Sequence, residues 1–185
     1  MKTEHRLAEV LKEMMSDTPL DEISVTMLVK KCKVNRQTFY YHFHDIYDLL
    51  TLVFLDEHIP NIEEVKDTKN MIKRIFAYYQ KNNHFIDAAL NSAGKDLFEE
   101  FIYNATYKTI LKIVNEQKDS KKIHMNDRKA IARFYSQAYS HSIVYYLSTY
   151  KNKTLDGLMS CFAFENDDTF ARAVEKMVAI RGKEK

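Results

Sequence analysis

The sequence predicts an all-α protein of about nine helices, and three observations lead there. The chain of 185 residues holds three glycines and two prolines (Gly94, Gly157, Gly182, Pro19 and Pro60), where average usage brings about 22 of the two types together. Turn-dense β architectures and glycine-rich phosphate loops are therefore disfavoured. Apolar residues recur at helical spacing along most of the chain. Hydrophobic residues make up 45% and aromatics 12%, enough to bury a substantial core and exclude disorder. The length allows one large domain or two small ones.

The elements follow in order. Leu7, Val10, Leu11 and Met14 set one apolar stripe on a helix over residues 3–15, which Asp17-Thr18-Pro19 ends. Ser24 is an N-cap for a second helix carrying Leu28, Val29 and Cys32. Met27 stands where a capping box would have Glu. After a short turn at Lys33-Val34, a third helix runs from about Asn35 to His42, with Phe39 and Phe43 inward. Asp45 caps a fourth through Leu49, Leu50, Val53 and Phe54, which stops before Pro60. Beyond that proline the helices lengthen, near 69–82, 84–91, 95–117, 126–150, 155–163 and 167–181, with polar connectors at 118–124 and 150–154. A functional boundary is expected near residues 55–60, dividing 1–55 from 56–185.

The net charge of +2 shows no whole-chain basic excess. Locally the picture differs. Residues 23–44 contain no Asp or Glu yet hold Lys30, Lys31, Lys33 and Arg36, although residues 1–55 as a whole carry one more acid than base. Such a cluster reads either as a solvated charged face or as a presentation of cations to phosphate. Cys32 and Cys161 have no CxxC spacing and read as small buried thiols rather than redox or metal groups. The first fifteen residues interleave acids and lack an apolar h-region, so no signal peptide is expected. The longest uncharged run, 134–150, contains Gln137, His141 and four serines, which suits a buried helix better than a membrane span. A cytoplasmic location is expected, with no membrane partner.

The pattern ISVTMLVKKCKVNRQTFYYHFHDIYDLL, residues 23–50, places two short helices around a tight turn. Leu28, Val29, Cys32, Val34 and Phe39 face inward; Arg36, Gln37, Tyr40 and Tyr41 face outward. This is a helix-turn-helix, whose second helix enters the DNA major groove. Arginine pairs with guanine, glutamine with adenine, and tyrosine reaches a phosphate or a thymine methyl.

The same segment resembles the DNA-binding motif of the tetracycline-repressor (TetR/AcrR) family. The matching residues are Ile23, Ser24-Val25, Leu28, Cys32, Val34, Asn35, Thr38-Phe39-Tyr40, Phe43 and Leu49. The resemblance is close over about 45 N-terminal residues; the rest agrees in being long helices. It implies an N-terminal three-helix DNA-binding domain and a larger C-terminal helical domain for dimerisation and effector sensing. Thr26, Thr38, Tyr40 and His42 then fall where the family contacts phosphates, and Arg36, Gln37 and Tyr41 on or near the base-reading surface. With Lys33 and Asn35 these make the candidate DNA-binding set. Tyr40 has a second reading, packing against the first helix, and the two roles can coexist.

Two positions depart from the family pattern. The customary turn glycine is Lys33, at a position where the backbone often needs positive φ. The customary lysine at the start of the fourth helix is Ile46, so one phosphate anchor is missing.

His42, His44 and Asp45 invite a metal reading, but an H-x-H pair on one short helix end does not converge on an ion and has no third ligand at suitable spacing. No metal or cofactor is expected. No catalytic residues are expected either. His84, His124 and His141 are scattered, and the pairs Glu63-Glu64, Glu99-Glu100 and Asp167-Asp168 are adjacent, so they splay on a helix.

For the C-terminal part, the resemblance implies a homodimer through the last two long helices. It also implies a double-stranded, near-palindromic operator, and a pocket for a small-molecule effector among the middle helices. The aromatics Phe134, Tyr135, Tyr139, Tyr145, Tyr146 and Tyr150 read first as core and interface packing, with a few hydroxyls available to a ligand. The alternative function is a helical regulatory co-factor acting mainly through a protein partner, with weak or partner-dependent DNA binding. Lys33 and Ile46 lend that reading support. So does a resemblance of VNRQTFYYHFHDIYDLL, residues 34–50, to TetR-like activators of dihydroxyacetone kinase operons, which act with a protein that carries the signal.

Overall fold

A computed structural model describes residues 3–166 and 168–183. Among these residues there are ten α-helices, three short 3₁₀ turns and no strand: α1 Thr3–Met15, α2 Val25–Cys32, α3 Arg36–His42, α4 Ile46–Asp56, α5 Thr68–Lys81, α6 Asn83–Leu90, α7 Lys95–Glu116, α8 Met125–Thr149, α9 Leu155–Ser160 and α10 Thr169–Lys183. The helix expected from 167 begins at Thr169; Asp167 itself lies outside the described residues. The break between α5 and α6, expected near residue 83, falls at Asn82, at φ −121° and ψ 22°. Its side-chain amide donates to the Tyr78 carbonyl at 3.0 Å and stabilises the break.

Side-chain caps explain why the short N-terminal helices begin where they do. Ser24 Oγ accepts from the Met27 amide at 3.2 Å. Asn35 Oδ1 accepts from Thr38 at 2.7 Å, and Asp45 Oδ1 accepts from Asp48 at 2.8 Å. Asp48 answers through Oδ2, which accepts from the His44 amide at 3.0 Å. Each such cap contributes about 1 kcal/mol by satisfying an amide that the helix itself leaves unpaired.

The chain divides into two compact units, Met1–His58 with Tyr78–Phe101, and Ile59–Ala77 with Ile102–Lys185. Besides the crossing after His58, the chain passes from one to the other inside α5 and inside α7. In the first unit α1 packs on α2, α4 and α6. Leu7, Leu11, Leu28, Phe39, Leu49 and Leu50 are fully buried there, and the Phe54 ring meets those of Phe85, Phe98 and Phe101 at 5.4–5.9 Å. One polar network serves this core. Glu57 takes Lys12 in an ion pair and accepts from the Tyr78 hydroxyl at 2.6 Å. Burial, and then this bond to a carboxylate, push the Tyr78 phenol well above its ordinary pKa.

In the second unit Met71, Ile72, Ile75, Ile110, Val114 and Leu147 are among the buried core residues, and α10 packs on α8. Arg181 grips the buried carboxylate of Asp127 at 2.6 and 3.2 Å. Its hydrogen bond holds that carboxyl below the usual carboxylate range. Glu165 accepts from the Tyr139 hydroxyl, and from Thr68 at 3.4 Å. Phe162 stacks on Tyr139 with ring centroids 4.9 Å apart. These ties draw residues 161–165 out of helical continuation, which is why α9 stops at Ser160 rather than near 163. Cys32 is buried as expected, whereas Cys161, in the drawn-out turn, is only half-buried.

None of the described glycines has positive φ; that conformation falls on Lys33, Asn61 and Asp119. Gly94 and Gly157 instead permit close approach. A Cβ on Gly94 would lie 2.7 Å from a Leu50 methyl, and one on Gly157 would overlap the Tyr146 hydroxyl. Among the described residues no helix is long and apolar enough to cross a membrane.

Candidate nucleic-acid interface

Helix α2, a tight turn and helix α3 form a helix-turn-helix. At the turn, Lys33 adopts φ 55° and ψ 41°. The Val34 amide bonds back to the Val29 carbonyl at 3.0 Å and that of Lys33 to Lys30 at 3.2 Å, which closes α2 with a left-handed cap. That conformation is the one expected of a turn glycine. In lysine it costs on the order of 1 kcal/mol. Lys33→Gly is therefore expected to raise the unfolding free energy by about 1 kcal/mol, read as a higher denaturant midpoint at unchanged slope. An unchanged midpoint would show that the turn carries no strain.

The buried Phe39 fixes the orientation of α3. Arg36, Gln37, Tyr40 and Tyr41 then lie on its exposed side, Tyr41 at 83% exposure. The Arg36 guanidinium lies over the Tyr40 ring, 5.8 Å from its centroid, and donates to the Tyr40 hydroxyl at 3.4 Å. Tyr40 thus points outward; its packing is edge-on to Phe39, with centroids 5.4 Å apart. Thr26 is exposed on the first turn of α2. Thr38 is half-buried, its hydroxyl donating to Asn35 Oδ1 at 2.9 Å. The Asn35 carbonyl is therefore committed to the cap, and its amide nitrogen is the group left for a ligand.

The electrostatics of this surface depend on residues the sequence reading did not single out. Glu13 of α1 takes Lys31 at 3.0 Å, and Glu4 of the same helix takes His42 Nδ1 at 2.9 Å. These pairs join residues far apart in the chain, so periodicity carried no signal for them. Lys30, Lys33 and Arg36 remain exposed. Ile46 is 8% exposed and belongs to the core. Its neighbour Tyr47 donates to Asp21 at 2.7 Å, a bond that pushes its phenol up to about 12. Among the described residues, no three His, Cys, Asp or Glu side chains gather as metal ligands. The second unit carries a groove of about 410 Å³ lined by Lys66, Lys69, Lys73 and Asn70 over a floor of Ile113 and Phe170. Asp67, the acid among its described lining residues, is turned to the start of α5, accepting from the amide and side chain of Asn70 at 2.7 Å each.

Comparison with known proteins adds independent findings. Residues 66–158, half of the chain, match a TetR C-terminal family described as "Transcriptional regulator C-terminal region". The chain is 24% identical over 128 residues to the "HTH-type dhaKLM operon transcriptional activator DhaS" of Lactococcus lactis subsp. lactis (strain IL1403), an alignment covering 68% of this chain and 67% of that one. The solved structure of a "Dihydroxyacetone kinase operon activator DhaS" has the same fold. Its TM-score is 0.58 at 18% identity, over 96% of this chain and 97% of the other.

Proposed function

The chain belongs to the TetR family of transcriptional regulators and is a DNA-binding regulator, and from that premise we propose that it grips a near-palindromic operator as a homodimer. In this reading residues 1–55 bind DNA and residues 56–185 dimerise and sense a signal. Arg36, Gln37 and Tyr41 read base edges. Thr26, Lys33, Asn35, Thr38, Tyr40 and His42 engage the phosphate backbone. The observation that carries the assignment is the exposed side of α3, where a guanidinium, a carboxamide and two phenols stand together on a helix anchored by buried Phe39. Homodimerisation through α8 and α10 is supported by apolar side chains left open on both: Phe134 at 69% and Tyr145 at 55% exposure, with Ile180 on α10. A ligand or partner protein acting on the C-terminal part shifts operator affinity by binding one conformation better than another. The lysine-lined groove supports an anionic ligand there. The regulator works in the cytoplasm, where its DNA is.

A second reading, a co-factor that binds DNA weakly and acts mainly through a protein partner, is favoured by one observation. The position at the start of α4 is a buried isoleucine rather than a cation. Titrating binding of labelled upstream DNA against salt separates the two. The operator reading requires sequence-selective shifts whose affinity falls steeply with salt, and no shift without a second protein selects the co-factor. In the same titration Lys33→Gly is expected to lower the slope by about 0.9 per recognition helix. An unchanged slope removes Lys33 from the phosphate contacts.

A further inference from the structure

His42 occupies the last turn of α3, and its Nδ1 lies 2.9 Å from a carboxylate oxygen in the first turn of α1, that of Glu4. A ring nitrogen that close to a carboxylate carries the proton and donates it, because a bare nitrogen would set one acceptor against another. In a neutral ring held this way Nε2 is an acceptor and has nothing to offer a phosphate oxygen. To donate there as well, the ring must be imidazolium, with a proton on both nitrogens.

The geometry points to a proton-linked DNA contact: Glu4 is a positioning residue that holds His42 by Nδ1, and DNA binding takes up a proton from solvent at Nε2. The imidazolium then bridges the Glu4 carboxylate and a backbone phosphate. This rests on the reading above that His42 meets a phosphate. The surroundings suit a single bridging cation. The His42 side chain is 21% exposed, edge-on to the Tyr41 ring at 4.9 Å and tilted against Phe43 at 6.1 Å. Of the neighbouring charged groups, His5 on α1 is held by Asp56 at 2.7 Å and Lys31 on α2 by Glu13. Beyond the end of α3, Asp45 caps α4 and His44 is exposed. Arg6 follows next on α1.

Operator affinity therefore rises as pH falls. Uptake of one proton limits the change to about tenfold per pH unit for each recognition helix. The test is the dissociation constant for upstream DNA at pH 6, 7 and 8 and fixed ionic strength, measured on the full chain. Wild type is expected to weaken roughly three- to tenfold from pH 6 to 8. His42→Gln keeps an amide donor without a titrating group and should bind with a flat profile. Glu4→Ala removes the acceptor and releases the ring to present a neutral Nε2–H, so its profile should flatten too, and His44→Gln should leave the slope in place. Unfolding midpoints of the free variants check that the fold is retained. A profile as steep as wild type in either His42→Gln or Glu4→Ala overturns the proposal with DNA binding intact. A wild type that shifts no DNA even at pH 6 removes the operator reading, and this contact with it.

Discussion

Replacing Arg36 and Gln37 together with alanine is expected to abolish sequence selectivity and leave the fold untouched. Both side chains are exposed at the start of α3, and alanine is the best helix former, so stability has no reason to fall. What is lost is donor and acceptor matching at base edges, where a good bidentate contact discriminates by about 1–3 kcal/mol. Two such contacts correspond to a loss on the order of 10²- to 10⁴-fold in preference for operator over unrelated DNA of equal length. Binding to unrelated DNA should change little, because that affinity comes from phosphates. Arg36 also donates to Tyr40, so Tyr40→Phe is the informative companion: it keeps the ring beneath the guanidinium and removes the hydroxyl. Selectivity that survives the double substitution would place the reading surface elsewhere on the molecule.

Gly157→Ala is expected to destabilise the protein by about 2–4 kcal/mol, the opposite sign from the usual effect of replacing a helical glycine. The position lies in α9, where alanine would ordinarily gain about 0.5–1 kcal/mol. Here the new methyl overlaps the Tyr146 hydroxyl. That group is fixed from two sides: it donates to the Thr154 carbonyl and accepts from the Thr154 amide, each at 3.1 Å. Thr154 in turn caps α9 by accepting from Gly157 at 3.1 Å. Tyr146 is 4% exposed and has little room to retreat, so the methyl breaks both bonds and disturbs the cap. Tyr146→Phe alone should cost about 1–2 kcal/mol. The double variant should be more stable than the sum of the singles predicts, since the atom in conflict is gone. A stabilised Gly157→Ala would show that α9 can move away from α8 freely.

What the sequence reveals about this molecule is what neighbours in the chain decide. Ser24, Asn35 and Asp45 cap their helices through amides three residues on, and the burial of Phe39 and Phe43 follows from helical spacing. The left-handed turn at Lys33 is legible too, because the family resemblance puts the customary turn glycine at that position. The other two positive-φ residues, Asn61 and Asp119, sit in connectors where no motif marks them. Partners brought together only by folding stay hidden. Lys12 and Glu57 are 45 residues apart, and Asp127 and Arg181 are 54. The early end of α9 belongs to the same class, since Tyr139 and Thr68 draw Glu165 toward them from other helices. At the candidate interface the exposure of Arg36, Gln37, Tyr40 and Tyr41 on α3 is legible from helical spacing, but the acids of α1 that hold Lys31 and His42 are not.

Those acids have a consequence at the scale of a chromosome. An operator is one site among roughly 10⁶–10⁹ competitors, and a regulator's free concentration is set by how long it lingers on each wrong one. Lingering is governed by cations available to any phosphate. In the operator reading, Lys31 paired with Glu13 and His42 with Glu4, together with Ile46 buried where the family has a lysine, would leave this surface fewer groups for arbitrary phosphates than a face of unpaired cations. On that reading fewer copies would be sequestered along the genome, and a smaller pool would find and fill its own site.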